Sequence, residues 1–175
     1  MNLQPAIFLD RDGTLMEEVG YCAEPARVRV FPGVAEALQR LRDAGYLLIL
    51  VTNQSGIGRG YFTEDDYRAV ESEFERQILP AYLDGVYFCS DVEPSARRKP
   101  APGMLLEAAR DHGVDLARSY MIGDKAIDIA AGRAAGCRTV LVQTGYGSEQ
   151  NEAEATIVVA TLIEAANFVL ASSQP

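Results

Sequence analysis

The feature that most constrains this chain is the repeated alternation of short apolar runs with longer amphipathic segments. A short run without polar interruption fits a strand buried on both faces, and an amphipathic segment after it can cover one of those faces. Ala6 to Leu9 and Tyr46 to Val51 read as such strands, the second being nearly all Leu, Ile and Val. Between them, Val34 to Ala44 places Val34, Ala37, Leu38 and Leu41 on one helical face and stops at Gly45, a residue suited to closing a helix. Thr63 reads as the N-cap of a helix running to about Leu79, with Glu64, Asp65 and Asp66 in its first turn and Pro80 after it.

The pattern continues to the end of the chain. Gly85 to Cys89 is a third strand and Pro102 to His112 the next helix, closed by Gly113. Tyr120 to Ile122, Thr139 to Val142 and Thr156 to Val159 are further strands, with helices at Ala126 to Ala135 and Leu162 to Leu170. The tail Ser172-Ser-Gln-Pro175 is expected to be disordered. This is the signature of an α/β fold, a Rossmann-like three-layer sandwich around a mostly parallel sheet. At 175 residues, 48% hydrophobic and 23% charged, residues 1–175 are expected to form one domain.

Charge narrows the partners. A formal net charge of -9 opposes long-range attraction to nucleic acid or to an anionic membrane. No stretch has the length of a membrane helix and the N-terminus lacks the regions of a signal peptide, so the expected location is the cytoplasm. Cys22, Cys89 and Cys137 are widely separated and suggest neither a disulfide framework nor a closed zinc site. An anionic substrate must then be held by local groups, and Arg97-Arg98-Lys99 before Pro100 is a local reversal of sign.

In sheets of this kind ligands collect beyond the carboxyl ends of the strands, and here those positions are polar. Asp10 and Asp12 follow the first strand, Thr52, Asn53, Gln54 and Ser55 the second, Arg98 and Lys99 the third, and Gly123, Asp124 and Lys125 the fourth. Neighbouring carboxylates resist joint ionisation without a cation, and Asp10, Asp12 and Asp124 can supply oxygen ligands of the kind magnesium prefers. Thr52 and Lys99 offer a hydroxyl donor and a fixed positive charge for phosphoryl oxygens.

These clusters resemble the four motifs of the haloacid dehalogenase-like phosphatase superfamily, in order: Phe8-Leu-Asp-Arg-Asp-Gly-Thr-Leu15, Val51-Thr-Asn-Gln-Ser55, Arg98-Lys-Pro100 and Ile122-Gly-Asp-Lys-Ala-Ile-Asp128. The resemblance implies a phosphoric monoester hydrolase in which Asp10 attacks phosphorus and Asp12 acts first as general acid and then as general base. It implies magnesium held by Asp10, the backbone carbonyl of Asp12 and Asp124, with Thr52 and Lys99 on the transferring phosphoryl group. Asp128 then fits a supporting role, orienting Lys99 or a metal-bound water.

The sequence is most similar to the subclass of heptose-bisphosphate and histidinol phosphatases, over nearly its whole length. That similarity implies substrate contacts at Glu18, Val19, Gly20, Tyr21, Asn53, Gln54, Ser55, Arg98 and Lys125, with Arg98 assigned to recognition. It implies as substrate a small phosphorylated sugar, first the 7-phosphate of D-glycero-D-manno-heptose 1,7-bisphosphate, and then histidinol phosphate or another small sugar phosphate. The intervals between the motifs leave no room for a cap domain. The subclass carries a zinc loop before Arg-Lys-Pro, whereas Cys89 is the single candidate ligand in the stretch Cys89 to Arg98, so no zinc is expected.

Other charges read as ordinary. Asp65, Asp66 and the stretch Glu71 to Glu75 are taken as a solvated helix face, His112 as a helix-end residue, and Arg59 as equally suited to substrate or to its own loop. A monomer is expected. The rival from another class is a phospho-receiver signalling domain, which also clusters aspartates, a threonine and a lysine on a doubly wound sheet.

Overall fold

The computed structural model describes residues 3–150 and 154–172. Its elements run β1 (Ala6–Leu9), α1 (Val34–Asp43), β2 (Leu47–Asn53), α2 (Ser55–Gly58), α3 (Glu64–Gln77), β3 (Gly85–Cys89), α4 (Gly103–His112), β4 (Tyr120–Gly123), α5 (Ala126–Ala135), β5 (Arg138–Val142), β6 (Ile157–Val159) and α6 (Leu162–Ser172). The six strands form one sheet in the order β3-β2-β1-β4-β5-β6, every pairing parallel.

The apolar runs are strands because both sheet faces are covered. All four residues of β1 are buried. Ile7, Leu9, Leu48 and Leu50 face a core shared with α1, α3 and α6, while Ala6, Phe8, Ile49 and Val51 face one shared with α4 and α5. Successive side chains therefore alternate between two cores. Between β1 and β2 the described helices are α1 and the turn Pro25–Arg27, and between β2 and β3 they are α2 and α3. Neither interval holds a cap domain.

The register creates the site. Leu9 lies beside Leu50 of β2 and Ile122 of β4, so the polar positions just beyond, Asp10, Thr52 and Asp124, emerge at one rim. Strand order runs outward in one direction from β1 and in the other from β4. Asp10 and Asp124 therefore flank the point where the connections reverse, the usual crevice for ligands in open α/β sheets.

Local signals explain most boundaries. At the start of α3 the Thr63 hydroxyl accepts the Asp66 N–H at 3.1 Å and the Asp66 carboxylate accepts the Thr63 N–H at 2.8 Å, a reciprocal capping box. Ser55 to Gly58 is a single helical turn between β2 and α3. Two readings of the sequence need correction. Ser172 closes α6 instead of opening a tail, and the rest of that expected tail, 173–175, lies outside the described residues. Glu71 is no part of a solvated face: it lies in the buried stripe Tyr67, Val70, Glu71 and Phe74, whose spacing is that of a core-facing helix.

Candidate active site

Asp10 extends β1 and its N–H donates to the Ile122 carbonyl at 3.0 Å, so sheet pairing holds the residue in place. Lys99 reaches it from the segment after β3. The Lys99 ammonium lies 2.7 Å from Asp10 Oδ1, 2.6 Å from Asp128 Oδ1 and 2.8 Å from the Val51 carbonyl oxygen. Burial works against the charged form of Lys99, but Asp10 and Asp128 outweigh it and hold the ammonium above its ordinary pKa. The lysine is a fixed positive charge at the floor of the site.

Asp10, Asp124 and Asp128 each present a carboxylate oxygen within 4.8 Å of the others. Asp124 is fully buried, and that burial together with the charge of Asp10 pushes its carboxyl up to about 7. Asp128 moves in the same direction, to about 6, through burial, with Lys99 opposing and Asp10 reinforcing the shift. Lys99 neutralises one of three clustered carboxylates, which leaves an oxygen-only anionic pocket of the kind that holds a hard divalent cation. Glycines make room around it. A Cβ on Gly13, where φ is +87°, would stand 2.3 Å from Asp124 Oδ2, and one on Gly145 would stand equally close. Thr14 Oγ1 and the Tyr146 N–H donate to the two Asp124 oxygens at 3.3 and 2.9 Å.

The Asp12 side chain stands apart from this cluster. Its Oδ2 accepts from Gln54 Nε2 at 2.9 Å, and the same amide donates to Thr52 Oγ1 at 2.9 Å. Gln54 thus ties the acid expected from sequence to the hydroxyl expected to hold phosphate. The Asp12 carboxylate also receives the Arg11 guanidinium, whose Nη2 donates to Oδ2 at 3.1 Å and to Oδ1 at 3.3 Å.

These groups open into a cavity of about 330 Å³. Asp10, Asp12, Thr52 and Lys99 line it, as do Glu18, Gly20, Tyr21, Asn53, Gln54, Ser55, Arg98 and Lys125. Val19 does not: its side chain packs against the core, as an apolar side chain should. Glu18 pairs with Lys125 at 3.1 Å, which joins the loop after β1 to the end of β4. Arg98 is placed by its own loop, its Nη1 donating to the Asp91 carbonyl at 2.6 Å and its N–H to Ser95 Oγ at 3.1 Å.

Tyr146 is a site residue that sequence reasoning missed. It lines the cavity with its ring 5.0 Å from the Lys125 ammonium; its place just beyond β5 was the available signal. Arg59 is exposed and outside the lining residues. His112 stays at the end of α4, its ring 6.2 Å from that of Tyr87.

Comparison with known proteins agrees with this geometry. Residues 96–165 match the HAD-hydrolase-like family model. The chain is 45% identical over 159 residues to the D-glycero-D-manno-heptose-1,7-bisphosphate 7-phosphatase of Thermosynechococcus vestitus, covering 82% of this chain and 81% of that one. The chain belongs to the haloacid dehalogenase-like phosphatase family. Within that family it is also 40% identical over 177 residues to the D-glycero-beta-D-manno-heptose-1,7-bisphosphate 7-phosphatase of Haemophilus ducreyi, covering 94% of this chain and 97% of the relative. The crystal structure of D,D-heptose 1,7-bisphosphate phosphatase from B. bronchiseptica, complexed with magnesium and phosphate, superposes with a TM-score of 0.88 at 32% identity, covering 97% and 99% of the two chains. Haloacid dehalogenase-like topology also removes the receiver alternative, whose sheet runs in the order 2-1-3-4-5 and not in the order seen here.

Proposed function

We propose that this chain is a magnesium-dependent phosphomonoesterase that removes the 7-phosphate of D-glycero-D-manno-heptose 1,7-bisphosphate through a phospho-aspartyl intermediate on Asp10. The observation that carries the reading is the placement of the Asp10 carboxylate at the floor of the cavity, 2.7 Å from a buried lysine ammonium. Relatives at 40 to 45% identity that carry this activity in their names support the substrate.

In the first step an Asp10 oxygen bonds to phosphorus as the bond from phosphorus to the sugar oxygen breaks, and the Asp12 carboxyl passes its proton to the departing oxygen. The Thr52 hydroxyl and the Lys99 ammonium donate to the transferring phosphoryl oxygens, where transition-state charge is spread. In the second step Asp12 takes a proton from water, which attacks the same phosphorus and frees Asp10 and phosphate. A magnesium ion held by Asp10, Asp124 and the Asp12 carbonyl would supply the charge that lets an anionic phosphate approach an anionic nucleophile. Asp128 would act through Lys99.

Arg98 and Lys125 would meet the charge elsewhere on the sugar, with Tyr146 and Tyr21 forming the walls. Hydrogen bonds that Arg98 donates to Ser95 and Asp91 hold its loop, and Cys89 alone cannot build a four-ligand zinc site, so we infer a zinc-free enzyme.

The test is a comparison of kcat/KM for heptose 1,7-bisphosphate, in both anomers, against histidinol phosphate with magnesium present. A preference of about tenfold or more for a heptose bisphosphate supports the assignment. Faster turnover of histidinol phosphate would replace the substrate, and no phosphate release from any of them would overturn the activity.

A further inference from the structure

Arg11, between the nucleophile and the acid, has no role in the mechanism above, yet it is fully buried. Its guanidinium is shared between two carboxylates. Nη1 donates to Glu71 Oε2 at 2.9 Å, and Nη2 donates to Asp12 at 3.1 Å (Oδ2) and 3.3 Å (Oδ1). Glu71 comes from α3, sixty positions along the chain, and occupies a place between Tyr67 and Phe74 where an apolar side chain would fill the core at less cost. The Tyr67 ring lies 5.3 Å from the guanidinium carbon.

A buried ion pair is a poor source of stability, because desolvating both charges offsets most of their attraction. The planar, two-sided fork of arginine is instead suited to fixing geometry between two carboxylates. Here one side of the fork is anchored in the helix layer and the other is presented to Asp12. Asp12 Oδ2, the oxygen nearer the fork, also accepts from the Gln54 amide at 2.9 Å. The carboxylate is thus held by two donors while remaining in the cavity wall.

We propose that Glu71 and Arg11 are positioning residues for Asp12, acting as an arm from α3 that sets the direction in which the Asp12 carboxyl faces the departing oxygen. This rests on the reading of Asp12 as the general acid. Without Glu71 the fork loses its anchor, and Arg11, still buried and charged, draws Asp12 into a closer pair and away from the cavity. Proton delivery then suffers while the Asp10 nucleophile and the Lys99 charge stay in place.

The leaving group separates this from a packing role. A sugar alkoxide needs the proton from Asp12; a nitrophenolate departs without one. Glu71→Gln is compared with the native enzyme on a sugar phosphate that the native enzyme turns over and on p-nitrophenyl phosphate, using kcat/KM, which reports the steps through formation of the phosphoenzyme. The sugar phosphate should lose about tenfold or more, as fits partial loss of a general acid, and the nitrophenyl ester less than about threefold. Arg11→Lys, which keeps the charge and loses the fork, should give the same selective loss and carries the test if Glu71→Gln does not fold. An equal loss on both esters, or no loss on either, overturns the proposal. Asp12→Asn is the control for the underlying reading: if it too shows no selective loss, the general-acid assignment fails before the arm is tested.

Discussion

The side-chain amide of Asn53 is paired with the backbone of Lys99, donating to its carbonyl oxygen at 3.0 Å and accepting its N–H at 3.1 Å. This two-point clamp joins the end of β2 to the segment after β3, so the Lys99 stem leaves the backbone from a fixed place. Asn53 therefore fixes the place from which the Lys99 ammonium is presented to the cavity. Asn53→Ala should lower kcat by about tenfold or more with a smaller change in KM, since the misplaced charge matters most in the transition state. Steady-state kinetics on a sugar phosphate reads the split; a change confined to KM would make Asn53 a substrate contact alone.

Metal binding should show in stability as a function of pH. In the metal-free protein the Asp124 carboxyl is raised from 3.8 to about 7 by burial and by Asp10. Below the lower value it is protonated in the folded and unfolded chains alike. Between the two values the unfolded chain releases a proton that the folded chain keeps, so stability falls as pH rises and levels off above about 7. Magnesium, which needs the carboxylate ionised, should then raise the melting temperature more at pH 8 than at pH 5. Thermal melts with and without millimolar magnesium at the two pH values test this, and an equal rise at both would contradict it.

Gly13 tests the room around Asp124. Its φ of +87° is strained for any other residue, and an added Cβ would meet Asp124 Oδ2 at 2.3 Å. Gly13→Ala should displace that carboxylate and raise the magnesium concentration for half-maximal activity by about tenfold or more. A titration of activity against magnesium reads it, with circular dichroism to confirm folding; an unchanged midpoint in a folded variant would remove Asp124 from the metal site.

Arg98 lines the cavity from the loop that Ser95 and Asp91 hold. Arg98→Ala should raise KM for heptose 1,7-bisphosphate by about tenfold and leave kcat within about threefold, as loss of uniform binding does. A large fall in kcat would instead place Arg98 on the transferring phosphoryl group.

Much of this was legible from sequence for a physical reason. Strands buried on both faces must be apolar without interruption, so β1, β2 and β4 announced themselves and Asp10, Thr52 and Asp124 could be placed by position alone. What sequence could not show was pairing at a distance. Glu71 looked like one of several acidic residues on α3, although its spacing from Tyr67 and Phe74 put it on the core face; the arrival of Arg11 from the loop after β1 explains a carboxylate there. The Asn53 clamp on Lys99 likewise joins residues forty-six positions apart. Val19 was carried along with its polar neighbours, and its packing against the core shows that a contiguous motif need not face one way.

The central claim is that Asp10 becomes phosphorylated. Rapid acid quench of the enzyme during turnover of a sugar phosphate, followed by mass spectrometry, should find one phosphoryl group on the peptide containing Asp10, absent before substrate is added and absent in Asp10→Asn. Turnover by the native enzyme with no phosphoryl group on that peptide, or an Asp10→Asn variant that keeps native activity, would contradict it.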